Sequence, residues 1–260
     1  MGKKKMENCK IEYMPTVDEG SYPCESGEYF LSFESPDDYI KDLDDYPKTF
    51  TRYKFAAENG EDWAQVSLGY IYEKGKGVKQ DYEIALKWWR KAADQENSLA
   101  YGNIGYMYEN GYGVEQSYIE AMKWYGLSAG KGNKSAQNSL GVMYFYGIGV
   151  EQNYSEAAKW FVKAAEGEDF TLALVNLGYM YENGFGVEQD YEQAARLYRA
   201  AAEQTDTDGQ YCLGTMYERG IGVEQNYSEA AKWFSLADEG RRALSPNNRN
   251  LSKRVPDWYK

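Results

Sequence analysis

Small and apolar residues recur along most of the chain at a nearly constant spacing. A Leu or Ile followed by Gly stands at Leu68-Gly69, Ile104-Gly105, Leu140-Gly141, Leu177-Gly178 and Leu213-Gly214, at intervals of 36, 36, 37 and 36 residues. An aromatic lies three residues beyond each Gly (Tyr72, Tyr108, Tyr144, Tyr181, Tyr217), and a G-x-G-V turn then begins at Gly75, Gly111, Gly147, Gly184 and Gly220. After each turn comes a residue suited to cap a helix start: Asp81, Ser117, Asn153, Asp190 or Asn226. Glu120, Glu156, Gln193 and Glu229 follow three positions on, the spacing of a capping box. Ala85, Ala121, Ala157, Ala194 and Ala230 each precede by three residues Trp88, Trp124, Trp160, Leu197 and Trp233, which puts both on one helical face. The pattern predicts a first helix, a glycine turn and a second helix, present in five copies and stacked as an all-α solenoid, a right-handed α-α superhelix.

Stacking explains the glycines. A Gly inside a helix costs about 1 kcal/mol against Ala, so the Gly of each pair is expected where another helix comes too near for a Cβ. The turn glycines permit positive φ, ending the first helix in a left-handed residue and letting the next Val fold back over it. A phosphate cradle would need a third Gly and a preceding strand, and neither is present.

At the ends the pattern thins. Residues 46–57 fall in register with Tyr82 to Ala93, so they read as an orphan second helix of a degenerate half repeat. Ser35-Pro36-Asp37-Asp38 reads as a helix start leading into Tyr39, Ile40 and Leu43. The expected division is an irregular extension over 1–34, capping helices over 35–58, five repeats over 59–240 and a tail over 241–260. Residues 28–33 alternate weakly enough to be a strand or a packed loop. The tail is basic before Pro256, and packing against the last repeat fits it better than a nucleic-acid arm.

Charge and composition narrow the partners. With 43% hydrophobic residues and 26 Tyr there is ample material for burial, unlike a disordered chain. A net charge of −12 and a pI near 4.7 disfavour nucleic acid and anionic membranes and favour a basic or neutral protein. Cys9, Cys24 and Cys212 cannot staple five units, and the opening residues lack an apolar signal-peptide core, so the expected setting is reducing and cytoplasmic. Met6 stands where a Gly2 myristoylation motif wants Ser or Thr.

Catalytic chemistry finds little to work with. The chain has no histidine, which removes the commonest general base and most zinc sites. Ser128 and Lys131 match S-x-x-K without the motifs that accompany it in acyl transfer. The expectation is a protein that is not an enzyme and holds no metal or cofactor.

The LG-x-x-Y, G-x-G-V and A-x-x-W residues, with Ala92-Ala93 and Ala164-Ala165 after them, closely resemble the Sel-1-like repeat family, relatives of the tetratricopeptide repeats, over about residues 46 to 240. Secreted members rich in paired cysteines exist, and those pairs are missing here. The resemblance implies a protein-interaction scaffold or adaptor whose first helices line a concave face. Counting from each LG pair then places Trp63, Val66, Tyr70, Glu73, Leu99, Tyr106, Glu109, Phe145, Tyr146, Leu172, Val175, Tyr179, Glu182, Tyr211 and Glu218 on that face, aromatics beside a line of carboxylates. Aromatics at a surface are the usual interface anchors, so the expected function is to hold a protein or peptide in this groove, the protein being monomeric without it. The alternative is packing between first helices, or, at the level of function, an immunity-type inhibitor whose acidic aromatic face plugs a basic enzyme such as a bacterial toxin.

Overall fold

The computed structural model describes residues 46–167 and 169–244. Expectations for 1–45, including the helix start at Ser35, and for 245–260 lie outside these residues. Every regular element among the described residues is a helix: α1 (Tyr46–Glu58), α2 (Asp62–Lys74), α3 (Tyr82–Ala93), α4 (Ser98–Asn110), α5 (Tyr118–Gly130), α6 (Lys134–Tyr146), α7 (Tyr154–Ala165), α8 (Thr171–Asn183), α9 (Tyr191–Glu203), α10 (Thr207–Arg219) and α11 (Tyr227–Leu244). The fold is the all-α helical-repeat class that the sequence predicts. The chain divides after Ala164 into two compact units, one holding α1 to α7 and the other α8 to α11. Residues 241–244, assigned by sequence to the tail, continue α11, where Arg241 reaches Asp208 at 3.2 Å.

Each first helix ends as expected. Gly75, Gly111, Gly147, Gly184 and Gly220 are left-handed, with φ between 64° and 73°, and each donates its N–H to a carbonyl of the last turn, as Gly111 does to Met107. Second helices start on the predicted caps: Asp81 accepts from the Ile84 N–H, Ser117 from Glu120, Asn153 from Glu156, Asp190 from Gln193 and Asn226 from Glu229. The reciprocal half of the capping box does not close. The cap residue's own N–H donates instead to the carbonyl of the preceding tyrosine, Ser117 to Tyr108 at 2.8 Å and Asn153 to Tyr144 at 2.8 Å. Glu120 and Glu156, left without that donor, bind Lys123 and Lys159 one turn along.

The helix pair closes on the glycine of each LG motif. A Cβ on Gly69 would lie 2.3 Å from Trp89, on Gly105 2.7 Å from Tyr125, on Gly141 2.6 Å from Phe161, on Gly178 2.7 Å from Tyr198 and on Gly214 2.8 Å from Phe234. These rings, four residues after the alanine, fill the core; Trp89, Tyr125, Phe161 and Tyr198 are almost wholly buried. The core ring falls one residue beyond the A-x-x-W position. Trp88, Trp124, Trp160 and Trp233 are half-buried, and in the first unit Trp124 and Trp160 pack against the core clusters of the preceding helix pairs.

Candidate functional site

The first helices carry the residues expected to face a partner, and burial separates them into two groups. Trp63 and Tyr211 are exposed, at 47% and 39% of their full surface. Leu99, Tyr106, Glu109, Tyr146, Leu172, Tyr179 and Glu218 are half-buried. Val66, Tyr70, Glu73, Phe145, Val175 and Glu182 are buried, so the expectation of an open surface fails for these six. Val66 and Tyr70 belong to the core cluster around Trp89 and Ile104, and Val175 is covered within α8.

The cover on the tyrosines comes from the turn. A left-handed helix cap throws the next residue back over the last turn, and that residue is the middle of G-x-G. Lys76 lies 4.8 Å from the Tyr70 ring centroid, Tyr112 lies 5.8 Å from Tyr106 and Phe185 lies 5.9 Å from Tyr179. The middle residue is thus chosen to pack on the residue after LG. In the third repeat, where Val142 replaces tyrosine, Ile148 stands in that position.

The carboxylate line turns inward. Tyr125 donates its hydroxyl to Glu109 at 2.5 Å, Tyr198 donates to Glu182 at 2.9 Å, and Glu73 pairs with Lys74 at 3.0 Å. Burial pushes all three carboxyls above their ordinary range. It outweighs the tyrosine bonds at Glu109 and Glu182, with Arg219 also opposing at Glu182, and it outweighs Lys74 at Glu73. In the third repeat Phe145 takes the acid's place and Phe161 the tyrosine's, so hydroxyl and acceptor are lost together. The acids that do face solvent recur elsewhere: Glu115, Glu151, Glu188 and Glu224, just beyond the last four of the five turns, are exposed.

A further repeated residue went unread in the sequence although its spacing was visible. Gln80, Gln116, Gln152, Gln189 and Gln225 each donate a side-chain N–H to the carbonyl seven residues earlier, at 2.7 to 2.9 Å. Three of them also donate to the tyrosine that opens the second helix: Tyr82, Tyr118 and Tyr227. This glutamine pins the glycine turn between the two helices. Among the described residues no group of His, Cys, Asp and Glu could hold a metal ion, and no helix is long and apolar enough to cross a membrane.

A model of the Sel1 repeat matches residues 64–97, 98–133, 134–169, 171–206 and 207–237. Among crystal structures, a protective antigen of uropathogenic Escherichia coli strains displaying an SLR fold is 39% identical with a TM-score of 0.70, over 84% of this chain and 45% of that one. The present chain therefore spans less than half the length of that relative. A Sel1 repeat protein from Oxalobacter formigenes is 33% identical with a TM-score of 0.68, over 75% of this chain and 80% of that one. An immunity protein from Pseudomonas aeruginosa is 20% identical with a TM-score of 0.52, over 79% and 80%, a likeness of fold alone. No curated protein matches.

Proposed function

Because the chain belongs to the Sel1 repeat family, whose members are typically protein-protein interaction modules, we propose that it is a non-enzymatic adaptor that holds a protein or peptide against the aromatic residues of its first helices. The observation that carries this reading is that Trp63 and Tyr211 keep much of their surface in solvent, although the core ring of each helix pair is already supplied by the second helix. In the first unit the contact surface is Trp63, Leu99, Tyr106 and Tyr146; in the second it is Leu172, Tyr179, Tyr211 and Glu218. Exposed aromatics contribute large contact area at low entropic cost.

The partner is basic or neutral. Long-range attraction to a molecule of net charge −12 favours positive charge, and the exposed Glu115, Glu151, Glu188 and Glu224 supply it in place of the inward-turned Glu73, Glu109 and Glu182.

Affinity capture from the native cell followed by mass spectrometry names the partner. Trp63→Ala with Tyr106→Ala is expected to weaken its binding by at least about 2 kcal/mol per folded molecule while the circular dichroism spectrum holds. Unaltered binding by that folded double variant would refute the surface assignment. If the partner is an enzyme whose turnover falls at equimolar protein, the role is that of an inhibitor of the immunity type instead of an adaptor.

A further inference from the structure

One tripeptide recurs at three helix ends, and the fold treats the copies differently. Glu58-Asn59-Gly60, Glu109-Asn110-Gly111 and Glu182-Asn183-Gly184 are identical in sequence. In an Asn-Gly pair the side-chain amide and the next main-chain nitrogen meet readily, because Gly has no Cβ to keep them apart. An encounter of that kind within one chain is governed by how freely the two groups reach a near-attack geometry. With the flanking residues the same, the fold decides which of the three copies reacts.

Asn110 and Asn183 are the last residues of α4 and α8, and both are half-buried. Asn110 donates its side-chain N–H to the Tyr106 carbonyl and Asn183 to the Tyr179 carbonyl, both at 2.9 Å. The N–H groups of Gly111 and Gly184 close left-handed caps on Met107 and Met180. Attack at either site has to break the side-chain bond and the end of a packed helix first. Asn59 stands just beyond the last residue of α1, and both it and Gly60 are exposed. Its side-chain amide has no hydrogen-bond partner among the described residues. Nothing lies within 4 Å of where a Cβ on Gly60 would be, at φ 98°. The Gly60 N–H donates to the Ala57 carbonyl at 3.2 Å, a bond in an exposed turn that opens without unpacking a repeat.

We propose that Asn59 is a site of spontaneous covalent modification, deamidation through a cyclic imide formed with Gly60. The deprotonated Gly60 nitrogen attacks the side-chain carbonyl carbon of Asn59 and forms the ring C–N bond. The amide C–N bond breaks, and its nitrogen leaves as ammonia with a proton taken from water. Water then opens the imide at either carbonyl, leaving an aspartyl or an isoaspartyl residue, so that one water is consumed and one ammonia released overall. Both products carry a carboxylate that is charged at neutral pH. The isoaspartyl form also adds a main-chain carbon ahead of Gly60, whose carbonyl accepts from Gln95 at 2.9 Å. Gln95 donates to Gln65 as well, at 2.9 Å, so the modification acts where successive interhelical loops are tied together. It uses no residue of the first-helix surface proposed above and stands independently of it.

The test keeps the full chain folded in warm, mildly alkaline buffer, samples it over weeks, and maps tryptic peptides by mass spectrometry. The peptide Phe55–Lys74 holds Asn59 and no other asparagine, and conversion raises its mass by about 1 Da. Asn59 is expected to convert at least about tenfold faster than Asn110 and Asn183, because local opening of an exposed turn costs less than opening a packed helix. In urea the three rates are expected to converge, since the tripeptides are identical. Aspartyl and isoaspartyl peptides are both expected, the signature of the imide, and Asn59→Gln is expected to remove the fast conversion with an unchanged circular dichroism spectrum. Three results overturn the proposal: equal conversion of the three asparagines in the folded chain, rates that stay apart in urea, or the aspartyl product alone, which would mean direct hydrolysis without the ring.

Discussion

At the residue scale, the glycines divide by what surrounds them. Gly105 sits under Tyr125 with no room for a methyl, whereas Gly126, on the neighbouring helix, faces open space. Gly105→Ala is therefore expected to lose about 2 to 3 kcal/mol in urea unfolding through overpacking, and Gly126→Ala to gain up to about 1 kcal/mol from helix propensity. Equal effects of the two would refute the packing account. The buried acids bear on stability. A carboxyl with a raised folded pKa binds more protons folded than unfolded, so its contribution to stability falls as pH rises from the ordinary carboxylate range toward the raised value. Glu109→Gln with Glu182→Gln removes two desolvated charges while their oxygens still accept from Tyr125 and Tyr198. Thermal melts across pH 4.5 to 7 (the window opened by a raised carboxylate) should show a shallower decline than wild type and no lower midpoint at pH 7. A midpoint several degrees lower there would mean that the charged form is the preferred one.

At the scale of the element, the helix-turn-helix unit is held by polar groups that a hydrophobic pattern does not display. The N-cap amide goes to a tyrosine carbonyl of the previous helix, and the turn glutamine bridges both helices. Gln116 donates to the Glu109 carbonyl and to the Tyr118 hydroxyl. Gln116→Ala should cost about 1 kcal/mol, the net worth of such bonds. Gln116→Glu should cost more, because it sets a carboxylate against a carbonyl oxygen. Unfolding curves of the pair check the order, and a Glu variant as stable as wild type would exclude the clamp. Between units of the repeat, Thr205 stands at φ 65° in the loop leading to α10, a conformation that β-branched residues rarely adopt. Thr205→Gly is expected to stabilise by about 1 kcal/mol.

For the molecule as a whole, repeats that touch chiefly their neighbours have stability that sums over units and interfaces, and the ends lack one interface. Among the second helices, α11 is less covered at its start than α3. Tyr227, which opens α11, is 68% exposed, whereas the equivalent Tyr82 stacks on Tyr112 of the following turn at 4.7 Å. Hydrogen exchange is expected to be slower in α4 to α6 than in α11, since opening starts where packing is thinnest. Uniform protection from α1 to α11 would instead indicate a single cooperative unit.

The repeat period, the helix pair, the glycine notch and the left-handed caps were legible from the sequence, because each is a local or strictly periodic demand on residue type. Five copies of one motif leave little freedom in where helices begin and end. Which way a first-helix residue faces was not legible. One turn position serves to cover Tyr70, Tyr106 and Tyr179, and the acid line follows the tyrosines at 125 and 198, pairings that link residues 6 to 16 positions apart. Counting along one helix cannot reveal a partner supplied by the next, so six buried residues were read as surface. The role of Gly126 depends on the same kind of information. It resembles a packing glycine in sequence, and only the empty space around it in the folded chain separates it from one.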